Sequence, residues 1–170
     1  GNHGAFKNPS KRDLPYKRPI WIYVGRVAVE KNIKAFLDLD LEGTKLIIGK
    51  GPDLDNLKKK FTNDIFLGER TNGELASHFA SSDVFVFPSK TDTFGIVVLE
   101  SLACGTPVAA YPVPGPKDIL GGTKIDTLDE DLKASALKAL KVSRQDCLEF
   151  SKKYSWEETA RIFFDNISPN

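Results

Sequence analysis

Short apolar runs alternate with stretches of helical periodicity along most of the chain. Five runs are nearly continuous and rich in β-branched or aromatic side chains, which is typical of strands buried on both faces of a parallel sheet. They cover residues 20–24, 45–48, 64–67, 84–87 and 107–111. Helices are predicted between them over residues 31–38, 54–61, 73–80 and 96–103. The alternation predicts a doubly wound, Rossmann-like α/β parallel sheet with right-handed crossovers.

The two ends of the chain follow different patterns. Residues 1–18 combine prolines and cations with little apolar periodicity, which predicts an arm or an interdomain linker. We therefore expect one domain over residues 19–170, ending in a helical tail over 126–170 with helices at 132–140, 144–153 and 156–167. Because the chain starts at Gly1 and contains no Met, we expect a piece of a longer protein, with Gly1 as a boundary or tag remnant.

Composition narrows the class of protein. The 24 basic and 23 acidic residues leave a net charge of +1. Nucleic-acid-binding proteins usually carry an excess of basic residues, so this composition argues against that class. The apolar runs fall short of the roughly 20 residues that span a bilayer, and the start has no signal-peptide core, so we expect a cytoplasmic protein. Cys104 and Cys147 lack the spacing of zinc ligands or of a disulfide framework.

The loop after the first predicted strand carries candidate anion-binding residues. Open α/β sheets bind ligands beyond the carboxyl ends of their strands. Here Gly25 lets the backbone turn, and Arg26 and Lys31 flank the entry to a helix. A guanidinium fork, an ammonium and a helix N-terminus together suit a phosphate or a pyrophosphate. A surface loop with an ordinary Arg and Lys is the alternative.

The loop after the second predicted strand resembles a dinucleotide-binding fingerprint only in part. Gly49 and Gly51 match its first two glycines, but Leu54 stands where the third is required. A tight turn before a helix explains the segment, so dinucleotide binding has weak support.

The most informative residue is Glu100, which lies inside an almost uniformly apolar helix. A buried carboxylate costs several kcal/mol without a partner, so Glu100 must meet either an internal lysine or amide, or hydroxyl groups of a ligand. A carboxylate accepts hydrogen bonds from a diol, while Phe94–Val97 at the start of the same helix present backbone amides to a phosphate. The second arrangement describes a site for a nucleoside diphosphate.

In order and spacing, five segments resemble the C-terminal domain of family 4 retaining glycosyltransferases, which have the GT-B fold of two Rossmann-like domains. The segments are GRVAVEKN, GKGPDLDNL, FLGE, ASSDVFVFPS and TDTFGIVVLESLACGTPVAAYPVPGPKDIL, and the later YSWEETA fits as well. Two acidic residues eight positions apart, with Phe-Gly between them, mark the donor site of that family. Here they are Asp92 and Glu100, although the family usually has glutamate at the first position.

The resemblance implies a role for each matching residue. Catalytic roles fall to Arg26 and Lys31 on the diphosphate, Asp92 on sugar hydroxyls and Glu100 on the ribose diol. Gly25 and Leu67 complete the donor site, with Leu67 near the nucleobase. Backbone donors to the sugar and phosphate come from the segment between the acidic residues, namely Thr93, Phe94, Gly95, Ile96 and Val97.

The implied ligand is a nucleotide-diphosphate sugar, with uridine or guanosine as the nucleoside. The implied partner is a missing N-terminal Rossmann-like domain that holds the acceptor, and membrane contact is conceivable only for the intact enzyme. Asp-x-Asp pairs starting at Asp38, Asp53 and Asp129 fall at helix ends or in the helical tail, so we predict neither a catalytic metal nor a cofactor. We expect the isolated chain not to transfer sugar.

Two other functions fit the same fold. One is a non-catalytic module that binds nucleotide sugars or partners, which an intact upstream domain would argue against. The other is a sugar-nucleotide epimerase of the same architecture, which is not expected to carry Asp92, Phe-Gly and Glu100 together.

Overall fold

The core of the molecule is a parallel sheet of five strands. A computed structural model of the chain describes residues 14–91 and 96–153. The strands, in chain order, are β1 (Ile20–Val24), β2 (Thr44–Ile48), β3 (Ile65–Gly68), β4 (Val84–Phe87) and β5 (Val108–Ala110). Every pairing is parallel, and the spatial order is β3-β2-β1-β4-β5. The predicted sheet is confirmed, and each strand end lies within one residue of its predicted position.

Helices connect the strands and follow the last one. They are α1 (Ile33–Leu37), α2 (Leu54–Lys60), α3 (Asn72–Ser81), α4 (Ile96–Ala103), α5 (Pro116–Leu120), α6 (Leu132–Leu140) and α7 (Arg144–Lys152), and a 3₁₀ turn over Val29–Lys31 precedes α1. None of the helices in the described part of the chain has the length and apolar character that crossing a membrane requires.

Two helix predictions are corrected. The single helix predicted over residues 31–38 is a 3₁₀ turn and a five-residue helix, because Asn32 between them adopts a left-handed backbone. Helix α5 was not predicted, since the prolines around it favour a loop, but Pro116 at its first position fits a helix start. The helix predicted over residues 156–167 lies outside the described residues.

The side chains of each strand alternate between two separate cores, one on each face of the sheet. Ile20 and Ile22 point into a core closed by α3, α4, α5 and α7, whereas Trp21 and Tyr23 point into one closed by α1, α2 and α6. Burial on both faces explains why the strand sequences are apolar throughout. The chain is therefore doubly wound, and its winding reverses between β1 and β4.

The amino edge of the sheet is held by cations that bind backbone carbonyls. Arg144 donates to the carbonyl oxygens of Ala80, Ser82 and Cys104 and to the hydroxyl of Thr106, which joins the C-terminal ends of α3 and α4. Lys45 in β2 is 9% exposed and donates to the carbonyls of Leu37 and Leu39 at the end of α1. These cations replace the donors that helix ends lack.

The described end of the predicted arm also contacts this edge. Leu14 and Tyr16 pack against the core on the face of α3 and α4. Arg18 donates to both carboxylate oxygens of Asp83 at 3.0 Å and to the carbonyl of Ser81 at 2.9 Å. Residues 14–18 are thus attached to the domain.

Candidate functional site

A cleft of about 910 Å³ opens at the carboxyl ends of β1, β2 and β3. Doubly wound sheets place their ligands at this edge. The loop after each of the three strands supplies part of the wall, and α2 and α3 complete it. The lining residues are Val24, Gly25, Arg26, Ile48, Gly49, Lys50, Gly51, Pro52, Leu54, Asp55, Glu69, Arg70 and Leu75.

The floor of the cleft is a backbone extension of the β1–β2 ladder. The Gly25 amide donates to Ile48 O at 3.0 Å, and the Val27 amide donates to Lys50 O at 2.9 Å. This approach leaves no room for side chains, because a Cβ on Gly49 would lie 1.8 Å from the Gly25 carbonyl oxygen. A Cβ on Gly51 would lie 2.2 Å from the Val27 carbonyl oxygen. The two glycines therefore serve loop packing, which accounts for the incomplete dinucleotide fingerprint.

The rim of the cleft carries charged side chains in weak pairs. Arg26 contacts Glu30 at 2.9 Å, and Lys50 contacts Glu69 at 3.3 Å, with each side chain more than half exposed. Exposed ion pairs of this kind contribute between about 0 and about 1 kcal/mol. An incoming anion can therefore displace the carboxylate from either cation at little cost.

Lys50, Asp55, Glu69 and Arg70 were not predicted as site residues. Lys50 lies in the loop after β2, Asp55 lies in α2, and Glu69 and Arg70 lie in the loop after β3, so the four residues form no motif. The parallel pairing of β2 with β3 brings these segments together. The general rule that ligands bind beyond the carboxyl ends of strands was the available signal.

Of the predicted donor-site residues, Gly25 and Arg26 line the cleft. Lys31 is half-buried at the end of the 3₁₀ turn, and Leu67 is half-buried in β3. Ile96, which is 44% exposed, and half-buried Val97 begin α4. The predicted residues Asp92, Thr93, Phe94 and Gly95 lie outside the described residues.

Glu100 is half-buried on α4, although the apolar helix around it predicted full burial. Burial raises the pKa of its carboxyl group. Within residues 14–91 and 96–153, no hydrogen bond or ion pair engages the carboxylate, so the alternative of an internal lysine or amide partner is not found there. Burial, with a smaller effect of the Glu100 charge, raises the pKa of Cys104 to about 12. Glu100 thus retains its capacity to accept hydrogen bonds.

The acidic pairs that resemble a metal-binding pattern are engaged elsewhere. Asp38 pairs with Lys34, Asp129 pairs with Lys138, and Asp131 caps α6 by accepting from the Lys133 amide. Asp53 is the N-cap residue of α2, and its side chain accepts from the Asn56 side chain rather than from a backbone amide. Among the residues that the structure describes, no cluster of three His, Cys, Asp or Glu side chains is placed to hold a metal.

The fold is that of a Rossmann-like domain, and its cleft lies at the edge of the sheet where such domains bind ligands. Residues 5–153 match the family model described as glycosyl transferases group 1, which covers most of the chain. The chain therefore belongs to the glycosyl transferases group 1 family, and its fold is that of the C-terminal domain of GT-B glycosyltransferases.

Curated relatives and solved structures agree with this assignment. The chain is 40% identical over 109 residues to sulfoquinovosyl transferase SQD2 of Arabidopsis thaliana, covering 61% of the chain and 21% of that protein. It is 38% identical over 112 residues to a GDP-mannose-dependent alpha-mannosyltransferase of Mycobacterium tuberculosis, covering 65% and 30%. The chain therefore spans less than a third of the length of either relative.

Two solved structures show the same fold at low sequence identity. Sucrose-phosphate synthase of Thermosynechococcus elongatus superimposes with a TM-score of 0.68 at 24% identity, over 86% of this chain and 44% of that one. Anabaena HepE in complex with UDP-glucose superimposes with a TM-score of 0.64 at 16% identity, over 87% and 48%.

Proposed function

We propose that this chain is the donor-binding domain of a retaining glycosyltransferase and that its cleft holds the nucleoside diphosphate part of a nucleotide sugar. The observation that carries the proposal is the placement of Arg26 on a cleft at the carboxyl ends of β1–β3, with Lys50 on the same rim. Both cations are exposed and only weakly paired, so they are available to phosphate oxygens. The acceptor is held by an N-terminal domain of the longer protein.

The chemistry of transfer explains why such a site needs cations. A nucleoside diphosphate leaves while positive charge builds on the sugar ring, so groups that stabilise negative charge on the leaving phosphates lower the barrier. Arg26 can fork two phosphate oxygens, and Lys31 adds a point charge at the end of the same loop. These side chains supply the positive charge that a divalent metal provides in other glycosyltransferases, so we propose metal-independent transfer.

Glu100 provides the complementary interaction with the nucleoside. A ribose diol offers two hydroxyl donors, and a carboxylate offers acceptors only. Burial raises the pKa of Glu100 because it removes water from the carboxylate. Two hydrogen bonds from the diol would offset the energetic cost of that desolvation. Asp92, which precedes α4 in the sequence, is proposed to hold sugar hydroxyls.

The identity of the donor is narrowed by the relatives and neighbours. One relative is described as GDP-mannose-dependent, and HepE was crystallised with UDP-glucose. These names support a hexose linked to guanosine or uridine diphosphate as the donor class.

The test is a calorimetric titration of the chain with uridine and guanosine diphosphates, with and without a metal chelator. We expect one of them to bind, with an affinity that the chelator does not change. Arg26→Met combined with Lys31→Met should weaken binding at least tenfold, because each charge-assisted hydrogen bond contributes about 1.5 to about 3 kcal/mol. Lys152→Met, which removes an exposed cation on α7, is the matched control.

Two results would contradict the proposal. One is the absence of binding to both nucleotides by the unsubstituted chain. The other is an affinity in the double variant equal to that of Lys152→Met. The first result would exclude a nucleotide site on this chain, and the second would exclude Arg26 and Lys31 from that site. Sugar transfer itself must be measured in the longer protein, because we expect this chain alone not to catalyse it.

A further inference from the structure

Asn32 has an unusual backbone at the point where the winding of the sheet reverses. With φ 59° and ψ 30°, it is the one non-glycine residue with a positive φ among residues 14–91 and 96–153. Side chains with a Cβ avoid this left-handed region, although asparagine tolerates it better than most. The conformation ends the 3₁₀ turn after β1 and starts α1 in a new direction.

The side chain of Asn32 spans the gap between two loops. Its Nδ2 donates to the carbonyl oxygen of Pro88 at 3.0 Å, a residue that lies 56 positions later and directly after β4. Pro88 is buried, so its carbonyl needs a protein donor. The hydrogen bond therefore joins the loop that carries Arg26 and Lys31 to the loop that leads to Asp92 and α4.

The sheet does not make this connection by itself. Pairing between β1 and β4 covers Trp21 with Val84 and Ile22 with Phe85, and it does not continue to the carboxyl ends of the strands. By contrast, β1 and β2 pair over their full length, up to Val24 with Ile48. The β1–β4 ladder thus ends before the edge at which doubly wound sheets place their ligands, and the Asn32 side chain links the loops that follow the two strands.

Tyr111, which directly follows β5, interacts with residues of both of these loops. Burial raises the pKa of Tyr111, which follows β5, and an interaction with the Asn32 side chain lowers it by a smaller amount. The Lys90 ammonium lies 4.7 Å from the centroid of the Tyr111 ring, within the range of a cation–π contact. The loops after β1, β4 and β5 therefore meet around Asn32.

We infer that Asn32 is a positioning residue, which holds the loop after β4 at a fixed distance from the cationic loop after β1. This inference rests on the proposed function, in which groups from both loops bind one nucleotide sugar. Asn32 itself contacts neither the sugar nor the phosphates. Loss of its side chain separates the two halves of the donor site and leaves each half folded.

The test uses two variants that change the bridge in different ways. Asn32→Gly keeps the left-handed backbone and deletes the side chain. Asn32→Asp keeps the shape of the side chain but replaces the amide donor with an acceptor that faces the Pro88 carbonyl. Asn63→Asp is the matched control, because Asn63 is exposed and lies before β3 at the opposite edge of the sheet.

The first measurement needs no nucleotide. Backbone amide resonances of Ser89, Lys90 and Thr91 in the free chain should shift, and their hydrogen exchange should accelerate, in both Asn32 variants and not in the control. If these amides are unchanged in the Asn32 variants, the bridge does not position the loop and the inference is wrong. This outcome is independent of whether the chain binds nucleotides.

The second measurement is the affinity for uridine and guanosine diphosphates. We expect the dissociation constant to rise about five- to tenfold in both Asn32 variants, the effect of losing one hydrogen bond, and to stay unchanged in the control. Shifted amides with an unchanged dissociation constant would overturn the inference, since the loop would then be positioned without benefit to the site. If the unsubstituted chain binds neither nucleotide, the proposed function fails and the amide measurement alone decides the role of Asn32.

Discussion

At the amino edge of the sheet, Arg144 and Lys45 donate to backbone carbonyls at helix ends, whereas at the carboxyl edge Arg26 and Lys50 contact exposed carboxylates. The first pair of cations is largely withdrawn from solvent. The second pair is more than half exposed. The same residue types thus serve two purposes in one domain.

The two edges differ in how readily another anion can replace the group that the cation contacts. A carbonyl at a buried helix end has no other donor, so it and its cation are bound to each other in the folded state. A surface carboxylate is well solvated and releases its cation to a stronger anion at little cost. We therefore expect substitutions at the amino edge to change stability, and substitutions on the rim of the carboxyl edge to change binding.

The largest effect on stability is expected at the floor of the cleft, where an added side chain would clash with backbone atoms. Gly49→Ala forces a Cβ to within 1.8 Å of a carbonyl oxygen at a φ of +139°, so it should lower the free energy of unfolding by about 4 kcal/mol. The control is Gly73→Ala in α3, where an added Cβ meets nothing within 4 Å and helix propensity favours alanine. Urea denaturation should show a loss in the first variant and a small gain in the second. Equal stabilities would mean that the floor can relax.

The next effect tests the amino edge directly. Arg144→Met keeps much of the apolar stem but leaves the carbonyls of Ala80, Ser82 and Cys104 short of a donor. We expect a loss of about 3 kcal/mol in the free energy of unfolding, because hydrogen bonds from a charged group are involved. A loss below about 1 kcal/mol would show that water replaces the guanidinium.

A smaller effect of opposite sign is expected at Glu100. Burial raises its pKa, so the folded chain binds a proton more tightly than the unfolded chain, and stability falls as pH rises through the interval between the two pKa values. Glu100→Gln removes this penalty. It should stabilise the free chain at neutral pH, and the gain should vanish below the unfolded pKa of the carboxyl group.

The same variant should lose nucleotide affinity. We expect Glu100→Gln to bind nucleoside diphosphate about tenfold more weakly, since a neutral amide is a poorer acceptor for the diol than a carboxylate. Urea denaturation across the acidic and neutral range, combined with calorimetry, measures both effects. A variant that is less stable at neutral pH would indicate that the carboxylate is satisfied within the folded chain.

The smallest effect on stability completes the comparison. Arg26→Met makes the same chemical change as Arg144→Met, but at the opposite edge. Only the exposed pair with Glu30 is lost, so the free energy of unfolding should change by less than about 0.5 kcal/mol. Denaturation curves of the two arginine variants, recorded side by side, measure the difference between the edges. Similar losses in the free energy of unfolding for Arg26→Met and Arg144→Met would contradict the inference that cations at the two edges have different roles.

Most of the fold follows from the sequence because the strands are buried on both faces. Their continuous apolar runs locate them to within a residue, and the strand–helix alternation determines the winding. The break at Asn32 was not predicted, because the apolar spacing of the segment continues across it, and the side-chain contact with Pro88 joins residues that are distant in the sequence. Helix α5 was missed because prolines mark loops and helix starts alike.

Site residues could be predicted from the sequence only where several of them lie together in one short segment. Gly25 and Arg26 were identified because the loop after the first strand combines a glycine and two cations before a helix, and the structure places both on the cleft. Lys50 and Arg70 were not, because their proximity depends on the register of β2 and β3. The chemical roles of all these residues stay predictions until nucleotide binding is measured.

The glycine-rich floor of the cleft determines which positions of the site can be substituted without disturbing its backbone. Peptide groups form the hydrogen bonds between the loops after β1 and β2, and a substitution elsewhere leaves these groups chemically unchanged. Substitutions that spare this packing are those on the rim, where Lys50, Glu69 and Arg70 stand in loops and Asp55 stands at the start of α2. A change of charge on the rim can therefore alter the electrostatic potential of the cleft while the backbone floor stays intact.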